Sequence, residues 1–421
     1  MISTPVSVVN SVKGKALSAV FDDFLVMTDY ESGEITVLPA EEAHLVDDRP
    51  LYKFLTGNLD ELRLKCDKPA FRLHYGPLSS GIWEAGAFEV LSYGERILNV
   101  IPLCRYKRRG ITERIEGKKP EQAMLEVERI CGTFSASYST AFSMAVERIA
   151  GIEVDSGIKA SRILAVELER VYNHVHSIYR VAVAASQKVA VSHLSALEED
   201  ILRLNFRLFG HRYSFGFNGI GEVRLRNLRE LERLDKIEKE FSELVEELSV
   251  SKIFIDRLHN TAILSAEDIL ELDAIGIAAK GSGVDRDIRK FSDNYPGFKP
   301  VVRAEGDSLS RILVRIEEVK QSMDIIREIE AEIGGEGSKR CADVKEKLEN
   351  ASGEAMAFVE SPAGDLLVYV KIGEGIVKKF RVRGASSVNF LAFAKGVEGN
   401  IFTDYPFALE SFGLSFADAE V

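Results

Sequence analysis

The sequence predicts a mainly α fold with small β elements, an α+β chain built around a long central helix bundle. Three observations point there. Beyond Pro120 apolar residues recur at three- and four-residue spacing. Shorter stretches before and after that region are rich in β-branched and aromatic residues bounded by turn signals. The 421 residues are 46% hydrophobic with only 11 prolines, so a substantial core can form.

Residues 1–70 alternate apolar runs (SAVFDDFLVM, EITVLPA) with acidic turns and read as a small α/β or strand-rich attachment without a legible role. Residues 71–421 read as one larger domain. Its opening, 71–104, carries the turn signals Tyr-Gly-Pro and Tyr-Gly-Glu between strand-like runs and predicts a β-hairpin region. Residues 105–335 form the expected helical core. One helical period runs over 120–150 and stops at Gly151, and the next, over 158–190, opens on a Ser cap. That second segment is apolar on more than one face, as a buried central helix must be. Helices are also expected at 194–210, 225–258, 265–274 and 307–332. Residues 350–421 close the chain with a hairpin (AMAFVESPAGDLLVYVKIGEG), a further strand (VKKFRVRGA) and helix.

The net charge of −12 comes from interspersed acids and bases, which favours solubility and argues against nucleic-acid binding; RYKRRG at 105–110 is too short to change that. Cys66, Cys104, Cys131 and Cys341 form no CxxC pair, disfavouring a disulfide framework or a Cys-rich metal site. His44, His74, His193, His211 and His259 lack ligand spacing, so zinc is not expected. No apolar run reaches the roughly eighteen residues that cross a bilayer, and no export signal opens the chain. A cytoplasmic chain is expected, touching a membrane only through partners.

The most informative stretch is Glu128-Arg129-Ile130-Cys131-Gly132-Thr133-Phe134-Ser135-Ala136-Ser137-Tyr138. It resembles the R-x-C-G-x-C-x-x-x-H metal motif of nickel-iron hydrogenase large subunits, with Phe134 in place of the second thiolate and Tyr138 in place of the histidine. The C-terminal D-P-C-x-x-C pair would fall on Gly413, Ser415 and Asp418. One thiolate position of four thus keeps its sulfur, and Phe cannot supply another.

Other fragments follow in family order. Gly76-Pro77 with Glu84 and Phe88 resembles G-P-x-H-P...E-P...F. Arg109-Gly110-Ile111 and Glu116-Gly117-Lys118 resemble H-R-G-x-E-K-x-x-E-G-K, with Thr112 where hydrogenases keep a proton-passing glutamate. Glu167-Leu168-Glu169-Arg170 with Asn173-His174 resembles E-L-x-R-x-x-S-H, and Gly210-His211-Arg212 with Asn218 and Gly221 resembles G-x-R...N...G-G. Gly281 to Arg289, Glu305-Gly306-Asp307 with Arg311, and Gly353-Glu354 to Gly364 complete the series. Together they resemble the family shared by nickel-iron hydrogenase large subunits and the complex I 49 kDa subunit. Glu84, Cys131 and Gly132 bring the wording nearer its energy-converting hydrogenase branch; the R-x-D-Y of quinone-binding relatives is absent, with Ser79 and Trp83 where their histidines would be.

The resemblance implies a large subunit of a membrane-associated oxidoreductase, held to the inner face of the membrane by membrane subunits. It implies a small iron-sulfur partner docked near Arg109, Arg129, Cys131 and His174, with Glu84 lining the cavity and a quinone or other small molecule as acceptor. No cofactor is expected on this chain itself. A scaffold without catalysis is the alternative. The residues alone leave simpler roles open: Cys131 as a small core residue, His174 as a hydrogen-bonded core histidine, Arg109 and Arg129 in ion pairs, and Asp285, Asp287 and Arg289 as an ion-pair loop.

Overall fold

The Asp155 carboxylate accepts the Ile158 N–H at 2.7 Å and so starts the longest helix, Ser156–Ala184, one residue before the Ser cap expected from sequence. The computed structural model describes residues 2–4, 12, 14–65, 70–78, 84–104, 106, 108–334 and 337–419. The 156–184 helix is the axis of the molecule. Helices Lys188–Phe209 and Ser308–Ile333 lie along it, and Leu234–Val250 packs on the outside of the group. Twenty-one of its 29 residues are buried, Glu167, Glu169, Arg170 and His174 among them. The expected 225–258 helix is divided: a short strand, Glu222–Leu225, and a 3-10 turn precede Leu234–Val250, and Lys252–Leu258 follows after Ser251.

The single helix expected over 120–150 is also broken. Pro120–Val127 and Ser135–Ala150 are separated by an extended Cys131 and a short 3-10 turn. The break follows from the groups that take up backbone polar atoms there. Arg109 donates to the carbonyls of Arg129 and Ile130, and Glu128 turns back to accept the Gly216 N–H at 2.8 Å. At the restart, Glu169 accepts the N–H groups of Ala136 and Ser137 at 2.7 and 3.1 Å, satisfying donors that a helix start leaves open.

Every strand pairing among the described residues is antiparallel. The hairpin region and the C-terminal strands form as expected. Phe71–Tyr75, Ala87–Tyr93 and Arg96–Leu103 make one sheet. Gly353–Ser361, Gly364–Gly373 and Ile376–Arg383 make another, on which the 135–150 helix packs. Strand Ile2–Thr4 is added to the second sheet's edge, Ser3 opposite Ala357. The three strands between Ala16 and Pro39 form a sheet of their own. It is tied to the rest by Tyr30, whose hydroxyl donates to Asp365 at 2.8 Å, and by Arg49, which pairs with Asp273 at 3.0 Å. No helix among the described residues is long and apolar enough to cross a membrane.

Buried charge stitches these layers together. Arg289 lies in the turn after the Gly281–Gly283 loop, paired with Asp287 at 2.7 Å and reaching Glu318 at 3.2 Å and Glu167 at 3.4 Å. Removing it takes one cation from three buried carboxylates and leaves Lys280 and Arg170 to balance them. We expect Arg289→Met to lower stability by about 3–5 kcal/mol, read as a fall in the urea midpoint; Asp285→Asn, on an exposed pair with Lys290, should change it little.

Candidate functional site

Three chain segments bring the motif residues together. The break after Val127 presents Cys131, the loop after the 71–75 strand presents Glu84, and the turn after helix Tyr405–Phe412 presents Ser415 and Asp418. Gly413 shapes that turn with φ near 64°, and a Cβ there would lie 2.4 Å from the Arg315 guanidinium, so both conformation and space call for glycine.

Cys131 Sγ lies 3.2 Å from Thr133 Oγ1 and 3.5 Å from Ser415 Oγ. Ser415 Oγ in turn sits 3.2 Å from both Glu84 carboxylate oxygens, and Glu84 also accepts the Ala417 N–H at 3.1 Å. Tyr138 donates to Asp418 at 2.6 Å, and the Ser386 N–H donates to its other oxygen at 2.7 Å. The positions where hydrogenases carry thiolates therefore do converge, but they offer a thiol, a phenyl ring, a hydroxyl and a carboxyl. Burial, with Asp418 nearby, pushes the Cys131 thiol up to about 12, so it holds its proton. Among the described residues no group of three His, Cys, Asp or Glu side chains is placed to hold a metal ion. The donor set does not fit a nickel-iron centre, which needs anionic sulfur.

Two cavities flank this cluster. The smaller, about 120 Å³, is lined by Glu84, Thr133, Phe134, Ser415 and the paired Arg180 and Glu410. Burial raises the Glu410 carboxyl. The larger, about 550 Å³, is lined by Thr112, Glu113, Glu116, Arg383, Gly384 and Asp418.

Arg109 and Arg129 stand together on the exposed side of the Cys131 loop, Arg129 over the Phe215 ring at 4.7 Å and Phe215 stacked on His211. His174 stands apart from them. Asn173, its neighbour, reaches the loop by donating to the Thr133 carbonyl at 2.8 Å, but His174 points the other way, into the core. Its Nδ1 is 3.0 Å from Arg315 and its Nε2 2.7 Å from Glu318. A guanidinium only donates, so Nδ1 must accept and Nε2–H must donate, which fixes one neutral tautomer. Burial takes the ring down to about 3, against the pull of Glu318.

Glu318 and Arg315 escaped the sequence reading, although a signal existed: they follow Arg311 by seven and four residues, on one face of an otherwise apolar helical stripe. Arg315 also donates to the Phe412 carbonyl at 2.7 Å, linking His174 to the turn that carries Ser415.

The chain is similar in sequence to known proteins and in fold to a solved structure. Residues 198–346 match the family described as "Respiratory-chain NADH dehydrogenase, 49 Kd subunit". The membrane-bound hydrogenase subunit alpha of Pyrococcus furiosus is 30% identical over 366 residues, covering 81% of this chain and 85% of that protein. An NADH-quinone oxidoreductase subunit of Chloroherpeton thalassium is 26% identical over 344 residues, 74% of this chain and 78% of the relative. A chain in the solved structure of the membrane-bound sulfane sulfur reductase, an archaeal respiratory membrane complex, superposes with a TM-score of 0.78 at 25% identity, covering 85% of this chain and all of that one.

Two outcomes follow from the protonation states. Cys131 should resist alkylation at about pH 8 until the chain is denatured, since only the thiolate reacts; peptide mass spectrometry reads this directly. His174 is neutral when folded, near 3, and near 6.5 when unfolded, so the unfolded chain takes up its proton first as pH falls. Stability should drop from about pH 6.5 downward by up to about 1.4 kcal/mol per pH unit, and His174→Gln should flatten that part of the urea-midpoint profile.

Proposed function

The chain belongs to the family that the 49 kDa subunit of respiratory-chain NADH dehydrogenase shares with the α subunits of membrane-bound hydrogenases, and from that premise we propose that it is the large subunit of a membrane respiratory oxidoreductase. In this reading it carries no nickel-iron centre. Electrons arrive from a small iron-sulfur partner that sits over Arg109, Arg129 and the Cys131 loop, and pass to a small-molecule acceptor in the smaller cavity, which Glu84 and Ser415 line. The membrane is reached through further subunits, with this chain on the cytoplasmic face.

The observation that carries the proposal is the replacement chemistry at Cys131, Phe134, Ser415 and Asp418: these side chains lie together, yet they offer one protonated thiol, a ring, a hydroxyl and a carboxyl in place of four thiolates, and Phe134 and Ser415 line a small cavity. Exposed arginines at the loop suit a partner cluster, because nearby cations favour its reduced state. Glu84 is placed to exchange a proton with a bound molecule through Ser415.

Cavity size bears on the acceptor. About 120 Å³ is well below the roughly 300–1,000 Å³ of sites for larger ligands. That favours a compact acceptor over a quinone ring with its tail, and the complex that holds a structurally similar chain is a sulfane sulfur reductase. Polysulfide is therefore the first acceptor to test, with a short-chain quinone beside it.

The complex purified in mild detergent should contain a cluster-bearing small subunit and reduce polysulfide. Glu84→Gln should slow turnover by about ten-fold or more while assembly is kept; Arg129→Glu should weaken retention of the small subunit. Unchanged turnover in the Glu84 variant would remove the cavity from the reaction, and an assembled complex without iron or turnover would favour the scaffold.

A further inference from the structure

The turn that replaces the second thiolate pair places one side chain in each cavity. Ser415 lines the smaller, where the proposed acceptor binds, and Asp418 lines the larger. We propose that Asp418 supplies protons to the acceptor pocket, loaded from solvent through the larger cavity. This rests on the functional reading above and adds a route to it.

The geometry is specific. Asp418 is 1% exposed yet forms part of the wall of a cavity of about 550 Å³ whose other side holds the exposed carboxyl of Glu113 and the half-buried one of Glu116. Space for it is provided by Gly384, where a Cβ would come within 2.3 Å of Asp418 Oδ1. The nearest guanidinium, Arg383, is engaged elsewhere: it pairs with Asp365 at 2.7 Å and donates to the Ser18 carbonyl. Asp418 is therefore held by Tyr138 from the 135–150 helix and the Ser386 N–H, with the Cys131 thiol beside it and no direct cation among the described residues. Burial raises its carboxyl above the usual range. Glu113 also matters here. It accepts the Thr112 hydroxyl at 2.9 Å, which holds its carboxylate at the wall of the same cavity.

The balance is simple. Two electrons from the partner's cluster and two protons reduce the acceptor; for a polysulfide one S–S bond breaks and each sulfur leaves protonated. Asp418 gives up one of those protons towards the smaller cavity, whose Ser415 hydroxyl lies 3.4 Å from the Asp418 N–H, and regains one from the water of the larger cavity. Glu84 is the route for the other.

The test uses the assembled complex and Asp418→Asn, which keeps an acceptor for Tyr138 but carries no exchangeable acid proton, with Asp418→Glu beside it. Turnover with polysulfide should fall by about ten-fold or more in Asp418→Asn, with the partner's cluster accumulating in its reduced form, and recover in large part in Asp418→Glu. Because the acid must be protonated to donate, native turnover should decline as pH rises through its raised pKa, and the Asn variant should lack that limb. Infrared spectra give a readout independent of turnover: a protonated-carboxyl band, shifting in D2O, present in the native complex and missing from Asp418→Asn. Native-like turnover in Asp418→Asn, or no such band in the native complex, would overturn this proposal alone. A native complex that reduces neither polysulfide nor quinone would overturn the functional reading and this route with it.

Discussion

The buried carboxylate of Glu318 is the point on which the architecture depends. It meets His174 from the 156–184 helix and Lys280 and Arg289 from the 276–291 segment. Asp287 bridges Lys280 and Arg289, and Glu167 joins Arg289 to Arg170, whose guanidinium also donates to the Glu360 and Ser361 carbonyls of the C-terminal sheet. A charge this far from water is tolerated only when every partner is in place. The network thus fixes the mutual position of the 156–184 and 308–333 helices, the 276–291 loop and the 353–361 strand. It also reaches the pocket, since Arg315 holds His174 with one nitrogen and the Phe412 carbonyl with another.

That dependence explains how the loops around Cys131 keep their shape. A thiolate cage would bind its own loops together through the metal. Here the loops are held by hydrogen bonds instead: Arg109 on the carbonyls before Cys131, Asn173 on the carbonyl of Thr133, Glu84 on Ser415 and Ala417, and Tyr138 and Ser386 on Asp418. Each is a neutral or singly charged contact of modest strength, and each depends on the frame beneath to set its geometry. The frame reaches these loops through Arg315, which donates to the Phe412 carbonyl just before the turn that carries Ser415.

Much of this was legible in sequence. The hydrophobic period located the 156–184 and 308–333 helices, and the hairpin signals located both main sheets, because those patterns report burial locally. The motif order brought Cys131, Glu84 and Asp418 into one neighbourhood. What escaped were features decided by contacts distant in the chain. The 120–150 pattern stays helical through Cys131 since its apolar spacing is intact; Arg109 and Asn173, distant in sequence, take the carbonyls of Arg129, Ile130 and Thr133 where it breaks. His174 shared a motif with residues at the loop, yet a step of one residue around its helix aims it at Glu318 while Asn173 faces the loop. The short strands at 218–225 and 337–340 are too brief to show a period.

The edge strand Ile2–Thr4 pairs with residues 356–358, so the first described residues of the chain find their partners near the far end. During synthesis that strand must wait, unpaired, until its partner has been made, and the sheet beneath the 135–150 helix closes late. Contacts of such long sequence separation are slow to form. The 353–361 strand thus serves two partners at once, the ion network through the Glu360 and Ser361 carbonyls and the edge strand through residues 356–358.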